Sequence, residues 1–385
     1  MLTKNIEFKN FKVVLSNTRV KRDIKTFLNT KNEILKSLTL SYKYSYSKKI
    51  LKIIKKNSII RIIGMGGSIL GTEAIYNFLK HKVKKKLVFI NNIQSNFKEL
   101  KNSNKIINVI ISKSGNTLET ISNTNILVKK NQKNIFITGE NNSYLRIQAQ
   151  KLKAEIITHN NFIGGRYSVL SEVGMLPAEL MGLDEKKFKQ LNNLIKNKYF
   201  LKSLITNVSS ILYFNKIKKF NSIILNYDES SENLFKWYQQ LIAESLGKKS
   251  KGILPIVSSM PKDNHSLMQL YLDGPKKSFY TFFNVLDNKV IKINNNNILS
   301  SHRYLRNQSI EKIKQSQMFA TEKVFKSEKI PFRSFRVLKR DEQSLGELFC
   351  FFILETILLG RALKVNPFDQ PSVELIKKET KKILS

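Results

Sequence analysis

The chain has 385 residues, of which 41% are hydrophobic, and its formal net charge at pH 7 is +38. This length allows two domains with separate cores, and the hydrophobic content excludes a disordered chain. A single cysteine, Cys350, excludes intramolecular disulfide bonds and is typical of a reducing compartment. We find neither an apolar signal segment nor an apolar run long enough to span a bilayer, so we predict a cytoplasmic protein without a membrane partner.

The positive charge has two interpretations. A basic surface can bind nucleic acid, but here the lysine runs are scattered along the whole chain and lack neighbouring aromatic side chains. Lysine, asparagine and isoleucine are abundant together, which is typical of an AT-rich coding sequence. This pattern favours a compositional origin, and we do not expect a nucleic-acid partner. The charge would still attract a phosphorylated ligand.

The first half of the chain begins with a lead-in at residues 1–55, where amphipathic spacing predicts helices. Strands then alternate with helical segments through residues 56–200. The predicted strands are Ser58–Ile63, Leu87–Asn91, Ile106–Ile111, Asn134–Thr138 and Ala154–Thr158. Such alternation predicts a doubly wound, mainly parallel sheet with helices on both faces, which is a three-layer αβα domain.

A second alternation follows in residues 201–365. The predicted strands are Ser222–Tyr227, Ile253–Val257 and Ser278–Phe283, and the helices between them are Ser231–Leu246 and Asp263–Leu272. A long apolar helix is predicted at Glu342–Leu363. Residues 366–385 form a tail with a basic helix at Val373–Leu384. The predicted fold class is therefore α/β, with two doubly wound αβα domains, a helical lead-in and a C-terminal helix.

Two turns at the ends of predicted strands are suited to bind an anion. The first, GMGGSILG at residues 64–71, is not a dinucleotide or Walker A motif, because Ile69 and Thr72 stand where those motifs need glycine and lysine. The second, Ser112–Thr117, surrounds one glycine with hydroxyl groups before a predicted helix. Helix N-termini present free N–H groups to anions, and ligands bind at the carboxyl edge of such sheets.

Three further segments carry side chains suited to acid–base and oxyanion chemistry. Arg166 follows two glycines, where its guanidinium can face an oxyanion. Gln240 and Glu244 share one helix face, and Glu244 lies at a helix C-terminus, where a carboxylate is electrostatically disfavoured, which favours a functional role for it. His265 lies in the first turn of a predicted helix, and an imidazole can both donate and accept a proton. The four histidines have no metal-cluster spacing.

These segments give the chain a family likeness. It resembles the glucose-6-phosphate isomerases, which are built from two sugar-isomerase domains. The matching motifs, in chain order, are GMGGSILG at 64–71, SKSGNTLET at 112–120, GGRYSVLSEVGMLP at 164–177, QQLIAESLGK at 239–248, KDNHSLMQL at 262–270 and NPFDQPSVEL at 366–375. The six motifs occur in family order and are spread over most of the length of the chain.

The resemblance implies a function and a set of roles. It implies interconversion of glucose 6-phosphate and fructose 6-phosphate through ring opening and a cis-enediol, in glycolysis and gluconeogenesis, without metal or redox cofactor. The implied sugar-phosphate pocket comprises Gly67, Ser68, Ser112, Lys113, Ser114 and Thr117. The other implied roles are general base for Glu244, enediolate stabiliser for Arg166, ring-opening pair for His265 and Lys377, and substrate contact for Gln240. In the family the histidine comes from the neighbouring subunit, which implies a homodimer.

The sequence also departs from the family pattern. Asn116 replaces a common threonine in the phosphate loop, and Ile376 replaces a common glycine before Lys377, so Lys377 is favoured over Lys378 by register alone. Two alternative functions stay open. One is a sister isomerase that also accepts mannose 6-phosphate. The other is a catalytically silent sugar-phosphate sensor that binds nucleic acid, although a sensor needs no base such as Glu244.

Overall fold

The computed structural model describes residues 1–13, 17–53, 59–97, 105–286 and 291–385. The strands in this part of the chain are β1 (Ile6–Lys9), β2 (Ile59–Gly64), β3 (Lys86–Ile90), β4 (Ile106–Ser112), β5 (Lys133–Thr138), β6 (Glu155–Thr158), β7 (Asn221–Asn226), β8 (Leu254–Ser259), β9 (Ser278–Val285) and β10 (Phe332–Val337). The α-helices are α1 (Thr18–Leu28), α2 (Glu33–Ser37), α3 (Leu70–Phe78), α4 (Leu118–Leu127), α5 (Tyr144–Lys151), α6 (Glu172–Leu180), α7 (Leu191–Lys196), α8 (Lys198–Lys216), α9 (Glu232–Leu246), α10 (Met268–Asp273), α11 (Ile310–Ser327), α12 (Glu342–Ala362) and α13 (Val373–Leu384).

The first sheet is parallel throughout and has the strand order β3-β2-β4-β5-β6. Its central strand β4, with sequence IINVIIS, is buried at every position, as β-branched residues covered by helices on both faces should be. The strand order reverses between β2 and β4. In a doubly wound sheet the loops that leave the carboxyl ends of these two strands diverge and open a crevice for a ligand.

The second sheet repeats this order with β8-β7-β9-β10, and the N-terminal strand β1 pairs antiparallel with β10 at its edge. The predicted α/β fold with two mainly parallel sheets is thus confirmed. Two of these strands were not anticipated from the sequence. The lead-in, predicted as helical, begins with β1 before its helices, and β10 (FRSFRV) carries two arginines that hide a strand pattern.

One hydrophobic core extends across both units and is centred on α12, which is buried along nearly its whole length. Helix α9 of the second unit packs against α3 of the first and against α12. This packing brings the C-terminal turn of α9 to the first sheet. Within the described residues, no helix combines the length and the apolar character that a membrane crossing requires.

The remaining predicted elements agree with the structure to within a few residues, with one relevant exception. The predicted helix Asp263–Leu272 is instead a short 3₁₀ turn at Lys262–Asn264 followed by α10 from Met268. Its N-terminal part is not α-helical because the Asp263 carboxylate bonds Ser259 N–H and Ser266 Oγ, which closes a compact turn after β8. His265 therefore does not lie in the first turn of an α-helix. Ser58, the first residue of the predicted strand Ser58–Ile63, lies outside the described residues.

Candidate active site

The two anion-ready turns lie side by side at the carboxyl edge of the first sheet. Strands β2 and β4 pair directly up to Gly64 opposite Ile111, so the turns that follow them begin at the same level. A side chain at Gly64 would come within 3.1 Å of the Ile111 carbonyl oxygen. The sequence prediction that both turns share one edge is therefore correct, and they flank the point where the strand order reverses.

A third turn packs onto the first. A Cβ at Gly67 would lie 2.2 Å from the carbonyl carbon of Gly165, so only glycine allows the two backbones to approach this closely. Arg166 directly follows Gly165, and the close contact fixes it beside the two anion-ready turns. Ser68 is half-buried at the end of the same 3₁₀ turn.

The second turn presents hydroxyl groups at the N-terminus of α4. Ser112 Oγ lies 2.9 Å from Thr117 Oγ1, and Ser114 Oγ lies 3.5 Å from the same atom. Thr117 is the N-cap residue of α4, yet its side chain makes no capping hydrogen bond to the helix. The first N–H groups of α4 thus lack a side-chain acceptor, which is the arrangement that helix N-termini offer to a phosphate.

Asn116, the departure from the family pattern, points to a neighbouring helix. Its Oδ1 accepts a hydrogen bond from Tyr144 N–H at 3.0 Å, at the first residue of α5. The N-cap residue of α5, Ser143, makes no side-chain capping bond of its own. Asn116 therefore caps α5 and fixes the loop from the outside, together with Gly115, whose φ of +63° places it against Ser143.

Lys113 adds a cation to this edge. Its Nζ donates to the Asn161 carbonyl at 2.8 Å, which anchors the side chain to the segment that precedes Gly164. Burial, and secondarily the positive charge of Arg166, lowers the pKa of Lys113. Lys113 and Arg166 are thus close enough for their charges to interact, and both lie beside the crevice between the two turns.

Arg166 is buried, and its guanidinium donates four hydrogen bonds and forms one ion pair. Nε donates to Ser245 Oγ at 2.8 Å, and Nη2 donates to the carbonyls of Pro367 and Asp369. Nη1 donates to Gln370 Oε1 at 2.8 Å and lies 3.1 Å from Glu244 Oε1. Arg166 therefore joins the C-terminal segment 367–370 to the end of α9.

Glu244 occupies the centre of this arrangement. One carboxylate oxygen pairs with Arg166, and the other accepts a hydrogen bond from Gln240 Nε2 at 2.9 Å. Its side chain is 23% exposed, so the carboxylate is held from two sides and still open to a ligand. Gln240 also contacts the first turn, since a Cβ at Gly66 would lie 2.9 Å from its Nε2. A carboxylate held in this way can transfer a proton, and the buried cation beside it can stabilise an oxyanion. The neighbouring anion-ready turns can anchor the ligand.

The two remaining predicted residues lie elsewhere in the chain. Helix α9 connects the parallel neighbours β7 and β8, so its C-terminus and Glu244 lie toward the amino end of β8. His265 is exposed and follows the carboxyl end of β8. Six residues of strand separate these two ends, about 20 Å. Lys377 lies on α13, where no residue is buried, and its Nζ pairs with Glu374 Oε1 at 2.6 Å.

Sequence reasoning missed several residues that shape this site. Gln370 and Ser245 bond the guanidinium of Arg166, and Asn161 bonds Lys113. Gln370 and Ser245 lie inside motifs that the sequence analysis had singled out, at 366–375 and 239–248. Asn161 carries no signal of its own because it acts through its backbone carbonyl.

Comparison with known proteins identifies relatives along almost the full chain. The family model described as phosphoglucose isomerase matches residues 13–385. A glucose-6-phosphate isomerase of Methanocaldococcus jannaschii is 35% identical over 338 residues, which cover 82% of each chain. Glucose-6-phosphate isomerases of Mycoplasmopsis pulmonis and Acholeplasma laidlawii are 33% and 31% identical and align with 85% and 90% of this chain, and with 82% and 88% of their own.

Solved structures show the same fold at lower identity. A hypothetical protein from Thermus thermophilus aligns with a TM-score of 0.82 and 20% identity over 96% of this chain and 94% of its own. A glucose-6-phosphate isomerase from Chlamydia trachomatis aligns with a TM-score of 0.72 and 17% identity over 98% of this chain and 80% of its own. At these identities the likeness concerns the fold.

Proposed function

The chain belongs to the phosphoglucose isomerase family, and we propose that it interconverts glucose 6-phosphate and fructose 6-phosphate in glycolysis and gluconeogenesis. The observation that carries this proposal is the Glu244 carboxylate, held between Arg166 at 3.1 Å and Gln240 at 2.9 Å beside two anion-ready turns. Within this proposal, residues 56–200 and 201–365 are two sugar-isomerase domains. They follow the lead-in 1–55 and precede the tail 366–385.

The isomerisation moves one proton from C2 to C1 and one proton from the C2 oxygen to the C1 oxygen. In the direction from glucose 6-phosphate, Glu244 removes the proton from C2 of the open-chain aldose, and the electrons form a C1–C2 double bond. The C1 oxygen, which becomes the enediolate oxygen, takes up the proton that the C2 hydroxyl gives up. The C2 carbonyl forms as the double-bond electrons take back the proton at C1 from the same carboxyl group, which gives the ketose and returns Glu244 to its carboxylate. The positive charge of Arg166, buried beside Glu244, stabilises the negative charge that develops on the oxygens.

The phosphate anchors the end of the sugar that does not react. We assign it to the N-terminus of α4 with the hydroxyls of Ser112, Ser114 and Thr117, the ammonium of Lys113, and the glycine turn at Gly67–Ser68. The unbonded first N–H groups of α4 support this assignment. Fixing the phosphate holds C1 and C2 against Glu244 and reduces the entropy lost in reaching the transition state.

Ring opening requires proton donors and acceptors at the ring oxygen and the anomeric hydroxyl. We assign these roles to His265 and Lys377. The length of β8 lies between His265 and Glu244 of the same subunit, which supports a homodimer in which His265 of one subunit completes the site of the other. We further propose that the enzyme acts in the cytoplasm.

The test is a coupled assay of fructose 6-phosphate isomerisation with the Glu244→Gln variant. The amide preserves the size of the side chain but cannot accept the proton, so we expect kcat to fall by roughly 10²–10⁴-fold. A hexitol 6-phosphate, which carries the phosphate but no carbonyl group, should bind this variant nearly as well as the unchanged protein.

The matched control is Glu232→Gln, which neutralises an exposed glutamate on the same helix and should leave turnover unchanged. Turnover of Glu244→Gln close to that of the control contradicts the mechanism. Absence of turnover in the unchanged protein, together with DNA binding that weakens steeply with salt, favours the silent sensor instead. The same assay with mannose 6-phosphate tests the sister activity.

A further inference from the structure

A second carboxylate, outside the reacting groups, is fully buried near the phosphate turns. Glu172 is the first residue of α6, and its side chain is 0% exposed. One oxygen accepts a hydrogen bond from the backbone N–H of Asn160 at 2.6 Å, and the other accepts one from the Tyr42 hydroxyl at 2.8 Å. Within the part of the chain that the structure describes, no cationic side chain lies within ion-pair distance of it. Burying a carboxyl group is costly unless hydrogen bonds or an opposite charge compensate for its lost hydration.

The bonds of Glu172 hold the segment 160–163, which we call the anchor loop. The Asn160 side chain donates to Glu33 Oε2 at 3.0 Å, and its carbonyl accepts from Ile163 N–H at 3.1 Å. The next carbonyl, that of Asn161, accepts the hydrogen bond from Lys113 Nζ. Glu172 therefore fixes the backbone that in turn fixes the ammonium of Lys113.

The other end of the anchor loop leads into the arginine turn. Ile163 is buried and is followed by Gly164, Gly165 and Arg166, whose backbone packs against Gly67. A shift of the anchor loop would move both the cation beside the phosphate and the cation beside Glu244. The same loop thus links the two ends of the substrate site.

We propose that Glu172 is a positioning residue of the sugar-phosphate site, and that it acts by fixing the anchor loop and through it Lys113 and Arg166. This inference rests on the proposed assignment of the phosphate site. It places the control of phosphate affinity partly in α6 and the lead-in. Among the contacts of the described residues, neither Glu172 nor Tyr42 touches the groups that hold or convert the substrate.

The chain offers a matched control two helical turns further along α6. Glu179 Oε2 accepts a hydrogen bond from the Tyr46 hydroxyl at 2.6 Å, so the two pairs share the same chemistry and connect the same elements. Glu179 also pairs with Lys48 at 2.9 Å and makes no described hydrogen bond to the anchor loop. Removing either glutamate breaks a hydrogen bond to a tyrosine of the lead-in. Only Glu172 is also connected, through the anchor loop, to Lys113.

The experiment compares Glu172→Ala with Glu179→Ala by calorimetric binding of a hexitol 6-phosphate and by kcat and KM for the isomerisation. We expect Glu172→Ala to weaken hexitol phosphate binding and raise KM about tenfold, because the buried Asn160 N–H loses its acceptor. Glu179→Ala should change neither, although its melting temperature falls. Glu172→Gln should recover most of the affinity, since its amide oxygen still accepts from Asn160.

Equal affinity of Glu172→Ala and Glu179→Ala for the hexitol phosphate overturns the inference. If Glu172→Ala does not fold, the pair Tyr42→Phe and Tyr46→Phe replaces it, and only Tyr42→Phe should weaken binding. Binding does not require turnover, so an unchanged protein that binds the hexitol phosphate without isomerising sugar contradicts the proposed reaction while the comparison still decides on Glu172. An unchanged protein that does not bind the probe overturns both.

Discussion

Arg166 acts in this site through its charge more than through free hydrogen-bond donors. Its guanidinium donates four hydrogen bonds, all to groups other than the Glu244 carboxylate, and it forms an ion pair with that carboxylate. A guanidinium held in this way needs no reorganisation when negative charge develops nearby, which is the condition for effective electrostatic stabilisation. A direct hydrogen bond to a substrate oxyanion would therefore come from Nη1, the nitrogen that faces Gln370 and Glu244.

A second buried cation, Lys189, affects how the stability of the fold depends on pH. Burial lowers the pKa of Lys189 to about 7, while its Nζ contacts the carbonyls of Ser37 and Leu170. Between pH 7 and its ordinary pKa near 10.5 the unfolded chain binds a proton that the folded chain does not, so the free energy of unfolding should rise with pH. Urea unfolding at pH 7 and pH 9 measures this rise. We expect the free energy of unfolding of the unchanged protein to rise by up to about 2 kcal/mol more than that of Lys189→Met.

The control for this prediction is Lys186→Met, which removes an exposed lysine three residues earlier and changes the net charge equally. Its stability should follow the same pH dependence as that of the unchanged protein. If Lys189→Met also keeps that dependence, Lys189 is charged in the folded state at neutral pH.

Among the elements, those with a local signal were predictable and those defined by distant partners were not. The strand β4 and the turn at 112–117 follow from β-branched residues and from glycine among hydroxyl side chains. The strand β10 escaped because Arg333 breaks its apolar pattern. This arginine is tolerated inside the core because it pairs with Glu355 on α12, 22 residues later in the chain, and no local pattern reveals that partner.

In the site as well, contacts between residues near in sequence were predictable and contacts between distant residues were not. Glu244 and Gln240 are adjacent on one helix face, so the sequence places them together. The contact of Gly67 with Gly165 joins residues nearly a hundred positions apart, and the sequence could suggest it only through family resemblance. The hydrogen bond of Asn116 to the first residue of α5 depends on how two neighbouring strands align, so no local pattern reveals it.

The terminal helix α13 allows the two candidate lysines to be distinguished. Val373, Ile376 and Ile383 are exposed on one face, and the helix is not packed against the core. Lys377 lies four residues after Val373 and borders that face, whereas Lys378 is turned about 100° further away. We expect this apolar face to pack against the protein during turnover, which would carry Lys377 inward. The ion pair between Lys377 and Glu374 is exposed to solvent, so breaking it costs little free energy.

We therefore expect Lys377→Met to lower kcat by at least about tenfold, since a ring-opening proton donor is lost. Lys378→Met removes the same charge and should stay within about twofold of the unchanged enzyme because its side chain faces solvent. Steady-state kinetics of the two variants, with melting temperatures to confirm equal folding, provides the measurement. A larger loss in Lys378→Met reverses the assignment.

At the scale of the whole molecule, the charge is distributed unevenly between core and surface. Several of the 29 acidic residues are buried, among them Glu172, Glu347 and Glu355, while nearly all lysines lie at the surface. The surface is thus more basic than the net charge of +38 alone indicates. Such a surface accelerates the encounter with a phosphorylated sugar at low ionic strength and loses this effect as salt screens it.

The arrangement of the two sheets also determines how a complete site is assembled. Glu244 reaches the carboxyl edge of the first sheet because α9 packs on α3. His265 leaves the second sheet at the opposite end of β8. In the homodimer that we propose, a two-fold axis would present His265 of each subunit to the site of its partner and so build two equivalent sites.

This assembly is tested by mixing two inactive variants. In a dimer of Glu244→Gln with His265→Asn, one site carries both substitutions and the other carries neither, so one site should be active. Random exchange of equal amounts makes half of the dimers mixed, and activity should return to about a quarter of that of the unchanged enzyme. The assay is run on differently tagged subunits, whose exchange is confirmed by co-purification. Mixed dimers without activity would show that His265 serves the site of its own subunit, because only then does every site retain one of the two defects.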